Sequence, residues 1–281
     1  MDASELDNIE LELFVQALHK RHGHDFSQYA SASLKRRVHL LADQLQCRTV
    51  TALTERMLHE PALLSRVLEG LTVPVSDMFR DPPMFSALRQ QVFPLLASYP
   101  RIIIWQAGCA YGQEVYSLAI LLEEAGLYER TQIFATDLSD RAIQRASEGI
   151  YPAQEAQQWS RNYQAAGGRR SLADYCSAGY KLLKLNQRLR RNVTFAVHNL
   201  ATDGVFCEAH LILCRNVLIY FSNPLQNRAL ALFRDSLVRA GFLCLGAREN
   251  IERSPVAQAF VTFSEPQRIY RLASHLDEIA E

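Results

Sequence analysis

Arg101-Ile-Ile-Ile-Trp-Gln-Ala-Gly-Cys-Ala-Tyr-Gly-Gln-Glu-Val-Tyr-Ser-Leu-Ala-Ile-Leu-Leu-Glu-Glu-Ala-Gly126 reads as a buried strand, a tight glycine turn and then a helix. Ile102 to Trp105 form an unbroken apolar run rich in β-branched residues, the pattern of a parallel strand covered on both faces. Gly108 and Gly112 punctuate the small residues that follow, and Leu118, Leu121 and Leu122 then recur at helical spacing. Glycines at such a turn let the main chain bend sharply and let a ligand approach the backbone. The spacing is Gly-x-x-x-Gly, so neither the dinucleotide fingerprint nor the lysine-bearing phosphate loop is present. On this segment alone, an ordinary strand-to-helix turn and a nucleoside site both stay open.

Working outward, Gln132-Ile-Phe-Ala-Thr-Asp137 is a second short strand ending in an acid, with Ser139 as N-cap of a helix over Asp140 to Ser147. An acid at that strand end, about two dozen residues past the turn, is placed to accept ribose hydroxyls; helix capping is the plainer alternative. Arg191 to His198 alternates Val193, Phe195 and Val197 at strand period. Ala209-His-Leu-Ile-Leu-Cys214 is a further strand, running into Arg215-Asn216 and Val217-Leu-Ile-Tyr-Phe221. Polar residues at its end lie where open parallel sheets bind ligands. Asn223-Pro224 starts a long helix expected to reach Arg239, Gly241 to Gly246 a strand, and Phe260 to Leu272 a closing antiparallel pair. The fold class is therefore α/β, a doubly wound and mostly parallel sheet.

Residues 1 to about 70 read as helices only: Ile9 to Arg21, Ser33 to Gln46, and Val50 to Gly70 interrupted at Pro61. In the second, Leu34, Val38, Leu41 and Leu45 form a core stripe that leaves Lys35, Arg36 and Arg37 on the flanks and outer face. Such a basic face is either solvated surface or a docking surface for an acidic partner. The expected domains are 1–70, helical; 71–83, a linker whose Asp81-Pro-Pro83 favours an extended connector; and 84–281, the sheet domain. Its rhythm is interrupted over about 151–192 by a basic, aromatic-bearing insertion with Gly167-Gly168.

Composition excludes some classes of function. Thirty basic and thirty acidic residues cancel, so no global charge steers the chain toward nucleic acid or an anionic membrane. The asymmetry is local: residues 2–12 hold five acids and no base, 19–48 six bases against two acids, and 161–191 eight bases against one acid. The amino terminus has no basic-then-apolar layout of a signal peptide, and no apolar run approaches the roughly 18 residues of a membrane helix, which points to the cytoplasm. The six cysteines make no Cys-x-x-Cys pair and none has a histidine at zinc spacing, so neither disulfide nor metal is expected.

Taken together, Leu71-Thr-Val-Pro-Val-Ser-Asp-Met-Phe-Arg80, Gly112-Gln-Glu-Val-Tyr-Ser117, Ala135-Thr-Asp137, Asn199-Leu200 and Cys214-Arg-Asn-Val-Leu-Ile-Tyr-Phe221 resemble the chemotaxis receptor methyltransferases, the CheR family. The resemblance spans nearly the whole chain, from Ser33-Leu-Lys-Arg-Arg37 to Arg268-Ile-Tyr-Arg271. It implies a class I methyltransferase-like sheet domain, an α-helical receptor-recognition domain and a small inserted antiparallel β subdomain. It implies S-adenosylmethionine as cofactor, S-adenosylhomocysteine as product, and glutamate side chains on the cytoplasmic helices of a chemoreceptor as substrate. In some members the subdomain also pairs with an acidic peptide at the receptor's carboxyl terminus; a monomer is expected, with no nucleic-acid partner. By this resemblance Pro74, Ser76, Arg80, Ala107, Gly108, Gly112, Glu114, Asp137, Asn199, Leu200, Arg215 and Asn216 border the cofactor. Arg80 and Tyr220 stand nearest the methyl group and incoming carboxylate, and Lys35, Arg36 and Arg37 face the receptor. A core aromatic of the Leu-Ile-Tyr-Phe run is the alternative reading of Tyr220.

The chain departs from the family pattern at Gln113 and Val115, at Pro74 where many members have asparagine, and at Ala247-Arg248 within Gly246-Ala-Arg-Glu249. A methyltransferase acting on RNA or a small molecule, and a non-catalytic binding module, are the alternatives. The first lacks its usual Asn/Asp-Pro-Pro-aromatic run, since Arg215-Asn-Val-Leu-Ile-Tyr220 stands in that place.

Overall fold

The computed structural model describes residues 3–72, 74 and 76–273, so Val73 and Val75 of the expected linker, and the end of the sheet domain from 274, lie outside the described residues. The chain forms two compact units: Met1–Val73 with Ile219–Arg228, and Pro74–Leu218 with Ala229–Glu281.

The first unit is built from α1 (Ala3–His22), α2 (Ser31–Gln44), α3 (Val50–His59) and α4 (Leu64–Leu71). Pro61 does not merely break a helix. It opens a short 3-10 turn, Pro61–Leu63, that leads into α4, because its fixed φ and missing N–H suit a first helical position. Phe14, Leu18, Val38, Leu41, Leu53, Met57, Val67 and Leu71 make the core. A segment remote in sequence joins them. Ala30 N–H donates to the Tyr220 carbonyl at 2.8 Å and Ser222 N–H to that of Gln28 at 2.8 Å, while the Tyr29 and Phe221 rings meet edge-on at 5.1 Å.

One expectation is corrected here. Arg37 does not lie on the outer face of α2: it is 5% exposed. Its Nη1 donates to the Leu71 carbonyl, and its guanidinium carbon stacks 4.1 Å from the centre of the Tyr220 ring. Burial pulls its pKa below the ordinary arginine value. Three residues beyond Leu34, Arg37 falls at the border of the apolar stripe, and these two partners turn it inward. Lys35 pairs with Asp7 at 2.6 Å, and Arg36 alone of the three is fully on the surface.

The second unit holds a seven-stranded and a three-stranded sheet. In chain order the strands are β1 (Ile102–Ala107), β2 (Thr131–Asp137), β3 (Ile150–Pro152), β4 (Cys176–Gly179), β5 (Leu182–Leu185), β6 (Val193–Val197), β7 (Ala209–Cys214), β8 (Leu237–Leu245), β9 (Phe260–Ser264) and β10 (Ile269–Leu272). The large sheet runs β6-β2-β1-β7-β8-β10-β9. Its first five strands are parallel; β10 runs antiparallel to both of its neighbours, β8 and β9, so β9 keeps the direction of the first five, a class I methyltransferase-like order. The chain winds from β1 through β2 to β6 and then crosses back to β7, so the strand order reverses between β1 and β7. That reversal opens a crevice at the carboxyl ends of the two strands.

Two boundaries differ from the sequence reading. The helix from Asn223 stops at Ser236 and β8 begins at Leu237, because Leu237 is already registered beside Ala209 of β7, and an irregularity with Ala240 at φ +58° absorbs the three extra residues before Phe242 comes beside Leu211. Asp81-Pro-Pro83 is not an extended connector either. Asp81 is left-handed and Pro82 opens a helix, Pro82–Ala87.

The insertion folds as helix Ala156–Ala165 and the antiparallel sheet β3-β5-β4. Glu124, at the end of helix Gln113–Glu124, fastens it. This buried carboxylate accepts from the Tyr163 hydroxyl, from the Tyr175 hydroxyl at 3.0 Å and from Arg169 N–H at 3.1 Å, and it pairs with Arg89 at 2.9 Å. Glu124→Ala leaves the Arg89 charge without its acid in a buried setting and should cost about 3–5 kcal/mol, read as a lower denaturant midpoint of unfolding.

Candidate active site

At the carboxyl end of β1 the chain passes through Gly108 (φ +73°), Ala110 (φ +49°) and Gly112 (φ +87°) before the helix begins. The turn is held from β2. Gly108 and Cys109 N–H both donate to the Thr136 carbonyl at 2.8 Å, and Ala110 N–H donates to Asp137 Oδ2 at 2.9 Å. Gly108 must lack a side chain: a Cβ there would stand 2.4 Å from Val217 Cγ2, across the crevice between β1 and β7.

Asp137 Oδ1 accepts from Ser139 N–H at 3.0 Å, so each carboxylate oxygen has one backbone donor and lone pairs to spare. Burial pushes its pKa above the ordinary aspartate range, and the Ser139 and Ala110 amides work against that rise. Ser139 caps the next helix through its hydroxyl, which accepts from Ala142 N–H at 3.2 Å. Asp137 therefore does not carry that cap and stays turned to the glycine turn. Its carbonyl accepts from His198 N–H at 3.0 Å, which brings Asn199 and Leu200 beside it. Asn199 Oδ1 accepts from Ala201 N–H at 2.9 Å, and Leu200 is buried.

A second cluster is centred on Arg215. Its Nη1 meets Glu114 and its Nη2 meets Asp81 at 2.5 Å, while Nη1 also donates to the Arg80 carbonyl at 3.3 Å. Gln106 Nε2 completes the set, donating to Glu114 Oε1 at 2.7 Å. Burial lowers the Arg215 pKa, but the charges of Glu114 and Asp81 outweigh it and hold the group above its ordinary value. Beside it, Asn216 (φ +60°) donates its N–H to Glu249 Oε2 at 2.9 Å, and the same oxygen accepts from Gly246 N–H at 2.7 Å. Glu249 thus ties the ends of β7 and β8.

Of the sequence-predicted residues, the structure brings Ala107, Gly108, Gly112, Asp137, Asn199 and Leu200 together around the glycine turn, and Arg80, Glu114, Arg215 and Asn216 around the Arg215 cluster. Glu114 is engaged by Arg215 and Gln106 rather than standing open. Pro74 and Ser76 are half-buried and make no hydrogen bond among the described residues. Tyr220 packs on Arg37 in the first unit. Sequence reasoning missed Asp81, Gln106, Ser117 and Thr136. It noticed Glu249 only as part of a departing tetrapeptide, although an acid three residues after a strand-ending glycine was a usable signal.

The site fits a nucleoside cofactor. Gly108 and Gly112 are left-handed, Asp137 keeps acceptor capacity, and buried polar atoms of Gln106 (Oε1), Gln113 (Oε1) and Arg215 (Nε) have no partner among the described residues, polar groups that a ligand can engage. Comparison with known proteins agrees. Residues 74–266 match the model of the CheR methyltransferase SAM-binding domain, and residues 9–72 that of the CheR methyltransferase all-alpha domain. The chain belongs to the CheR methyltransferase family. It is 49% identical over 264 residues to Cher3 of Pseudomonas putida, named as a candidate methyltransferase, covering 94% of this chain and 97% of that protein. It is 30% identical over 240 residues to a chemotaxis protein methyltransferase of Listeria innocua (85% and 88% covered), and 30% over 286 residues to chemotaxis protein methyltransferase 1 of Pseudomonas aeruginosa (94% and 98%). S-adenosylmethionine is accordingly the cofactor of this domain. Among the described residues no group of three or more histidine, cysteine, aspartate or glutamate side chains could hold a metal, and no helix is long and apolar enough to cross a membrane.

Asp137→Ala removes an ionised acceptor from the glycine turn and should weaken S-adenosylmethionine binding by about 1.5–3 kcal/mol. Titration calorimetry on a variant that keeps its circular dichroism would show it, and unchanged affinity would count against a cofactor contact by Asp137.

Proposed function

We propose that this chain is a cytoplasmic protein-glutamate O-methyltransferase acting on chemoreceptors. The observation that carries the reading is the state of the site's ionisable groups. Asp137, Glu114, Asp81 and Glu249 are all engaged by donors, and His198, 6% exposed, is packed against Trp105 and Phe206 with Nε2 on the Gly204 carbonyl. By contrast the guanidinium of Arg80, half-buried, has no partner among the described residues. Among the described residues, such a site offers a cation but no solvent-facing, unengaged base, the unpartnered Nδ1 of His198 being buried.

A glutamate side chain suits it. With a reference pKa of about 4.3 it is already ionised near neutrality and needs no deprotonation before attack. When bound, S-adenosylmethionine supplies an electrophilic methyl group on a sulfonium. In this reading Asp137 accepts the ribose hydroxyls, and the backbone of Ala107, Gly108 and Gly112 lets the cofactor lie close. Asn199, Leu200, Arg215 and Asn216 border the adenosine, and Arg80 orients the incoming carboxylate. Orientation and exclusion of water then supply the rate. The catalytic role proposed for Tyr220, and the cofactor contacts proposed for Pro74 and Ser76, rest on the resemblance. On the helical unit, Arg36 and Lys35 are the residues proposed to face the receptor; Arg37, being buried, is withdrawn from that surface.

The deciding experiment is transfer of radiolabelled methyl groups to the cytoplasmic fragment of a chemoreceptor from the same genome, followed by base treatment. A glutamate ester releases methanol; a product stable to base would mean a nitrogen substrate. The single-turnover rate at saturating cofactor and receptor should be flat across neutrality, whereas an enzyme using a histidine base would lose rate below about pH 6.5. Arg36→Glu should slow receptor methylation at low ionic strength and leave cofactor affinity intact, with the difference shrinking as salt is raised; equal rates at all salt concentrations would make Arg36 plain surface.

A further inference from the structure

Arg80 is held in an unusual setting. The residues on both sides of it, Phe79 (φ +53°) and Asp81 (φ +56°), are left-handed, a conformation that L side chains avoid. Strain of this kind persists only where the surroundings over-determine it, and here they do on both sides. Ahead of Arg80, Phe79 N–H donates to Ser117 Oγ at 2.9 Å, and that hydroxyl donates to the Gln113 carbonyl at 2.8 Å. The Phe79 ring is fully buried against Phe85 at 5.4 Å and Tyr163 at 5.2 Å. Behind Arg80, Asp81 binds Arg215 Nη2, whose Nη1 reaches back to the Arg80 carbonyl. Pro82 then starts a helix. The backbone around Arg80 is clamped at three points, while its side chain has no partner among the described residues.

We infer that Asp81 and Ser117 are positioning residues for Arg80: they fix a strained turn whose purpose is to present the Arg80 guanidinium to the acceptor carboxylate. The inference rests on the reading of Arg80 given above. Asp81 suits its place because aspartate and asparagine tolerate the left-handed region better than other side chains, and because its carboxylate takes the second fork of Arg215. It touches no reacting atom in this scheme and acts only through its neighbour.

The test is a double-mutant cycle on the full chain, with single-turnover transfer of tritiated methyl groups to the chemoreceptor fragment and calorimetry of S-adenosylmethionine. Asp81→Ala should lower the rate about tenfold with cofactor affinity changed less than about threefold, and Asp81→Asn, which keeps both the turn and an acceptor for Arg215, should recover most of the loss. In an Arg80→Ala background Asp81→Ala should add less than about twofold. Ser117→Ala, which removes the acceptor of Phe79 N–H without adding backbone strain, should show the same dependence on Arg80 and carries the test if Asp81→Ala fails to fold. Equal losses with and without Arg80, or a loss of rate that follows a loss of cofactor affinity, overturn the inference. An Arg80→Ala variant at wild-type rate overturns instead the role given to Arg80, and methyl groups that resist base overturn the glutamate substrate.

Discussion

A single buried guanidinium organises the second unit. Arg215 sits at the end of β7, and its two terminal nitrogens join the acid that opens the helix after the glycine turn to the acid that closes the turn around Arg80. Ionised groups out of water are tolerated only when paired with good geometry. The pairing therefore forces three stretches of chain, far apart in sequence, to end at one place. The reversal of strand order between β1 and β7 supplies the crevice; Arg215 determines which side chains line it.

The remaining ionisable groups follow the same economy. Asp137 spends one acceptor on each of two backbone amides and keeps the rest, and Glu249 places one oxygen between the ends of β7 and β8. Left-handed residues gather here too: Phe79, Asp81, Ala110 and Asn216 each adopt a conformation that costs about 1–2 kcal/mol. That concentration of strain at one crevice, with hydrogen bonds holding each turn, is how a scaffold fixes a ligand's surroundings in advance of binding.

Much of this architecture was legible in the chain because it depends on local pattern. The Ile102 to Trp105 run, the glycine spacing and the acid at Asp137 predict strand, turn and strand end, and the helix pattern of the first 70 residues survives in α1 to α4. What pattern does not carry is pairing at a distance. Arg37 reads as surface from helical spacing, yet the remote Tyr220 and the Leu71 carbonyl draw it inside. Asp81-Pro-Pro83 reads as a connector because nothing local announces Arg215. The helix from Asn223 reads too long because the register of β8 on β7, not propensity, decides where it stops. Glu124, which gathers the insertion, gave no signal, since its partners at 163, 169 and 175 lie in a segment whose fold is not periodic.

The span of the Arg215 pairs also governs when the crevice can form. Arg215 is 101 residues from Glu114 and 134 from Asp81, and a ribosome adding about 5–20 residues per second takes about 5–20 s to supply the hundred residues after Glu114. Throughout that interval Arg215 is not there to bring the two acids together. Contacts of such long range are also late to reward the loop entropy they cost. The nascent chain therefore cannot close the Arg215 pairs, nor complete the crevice they line, until β7 has been synthesised.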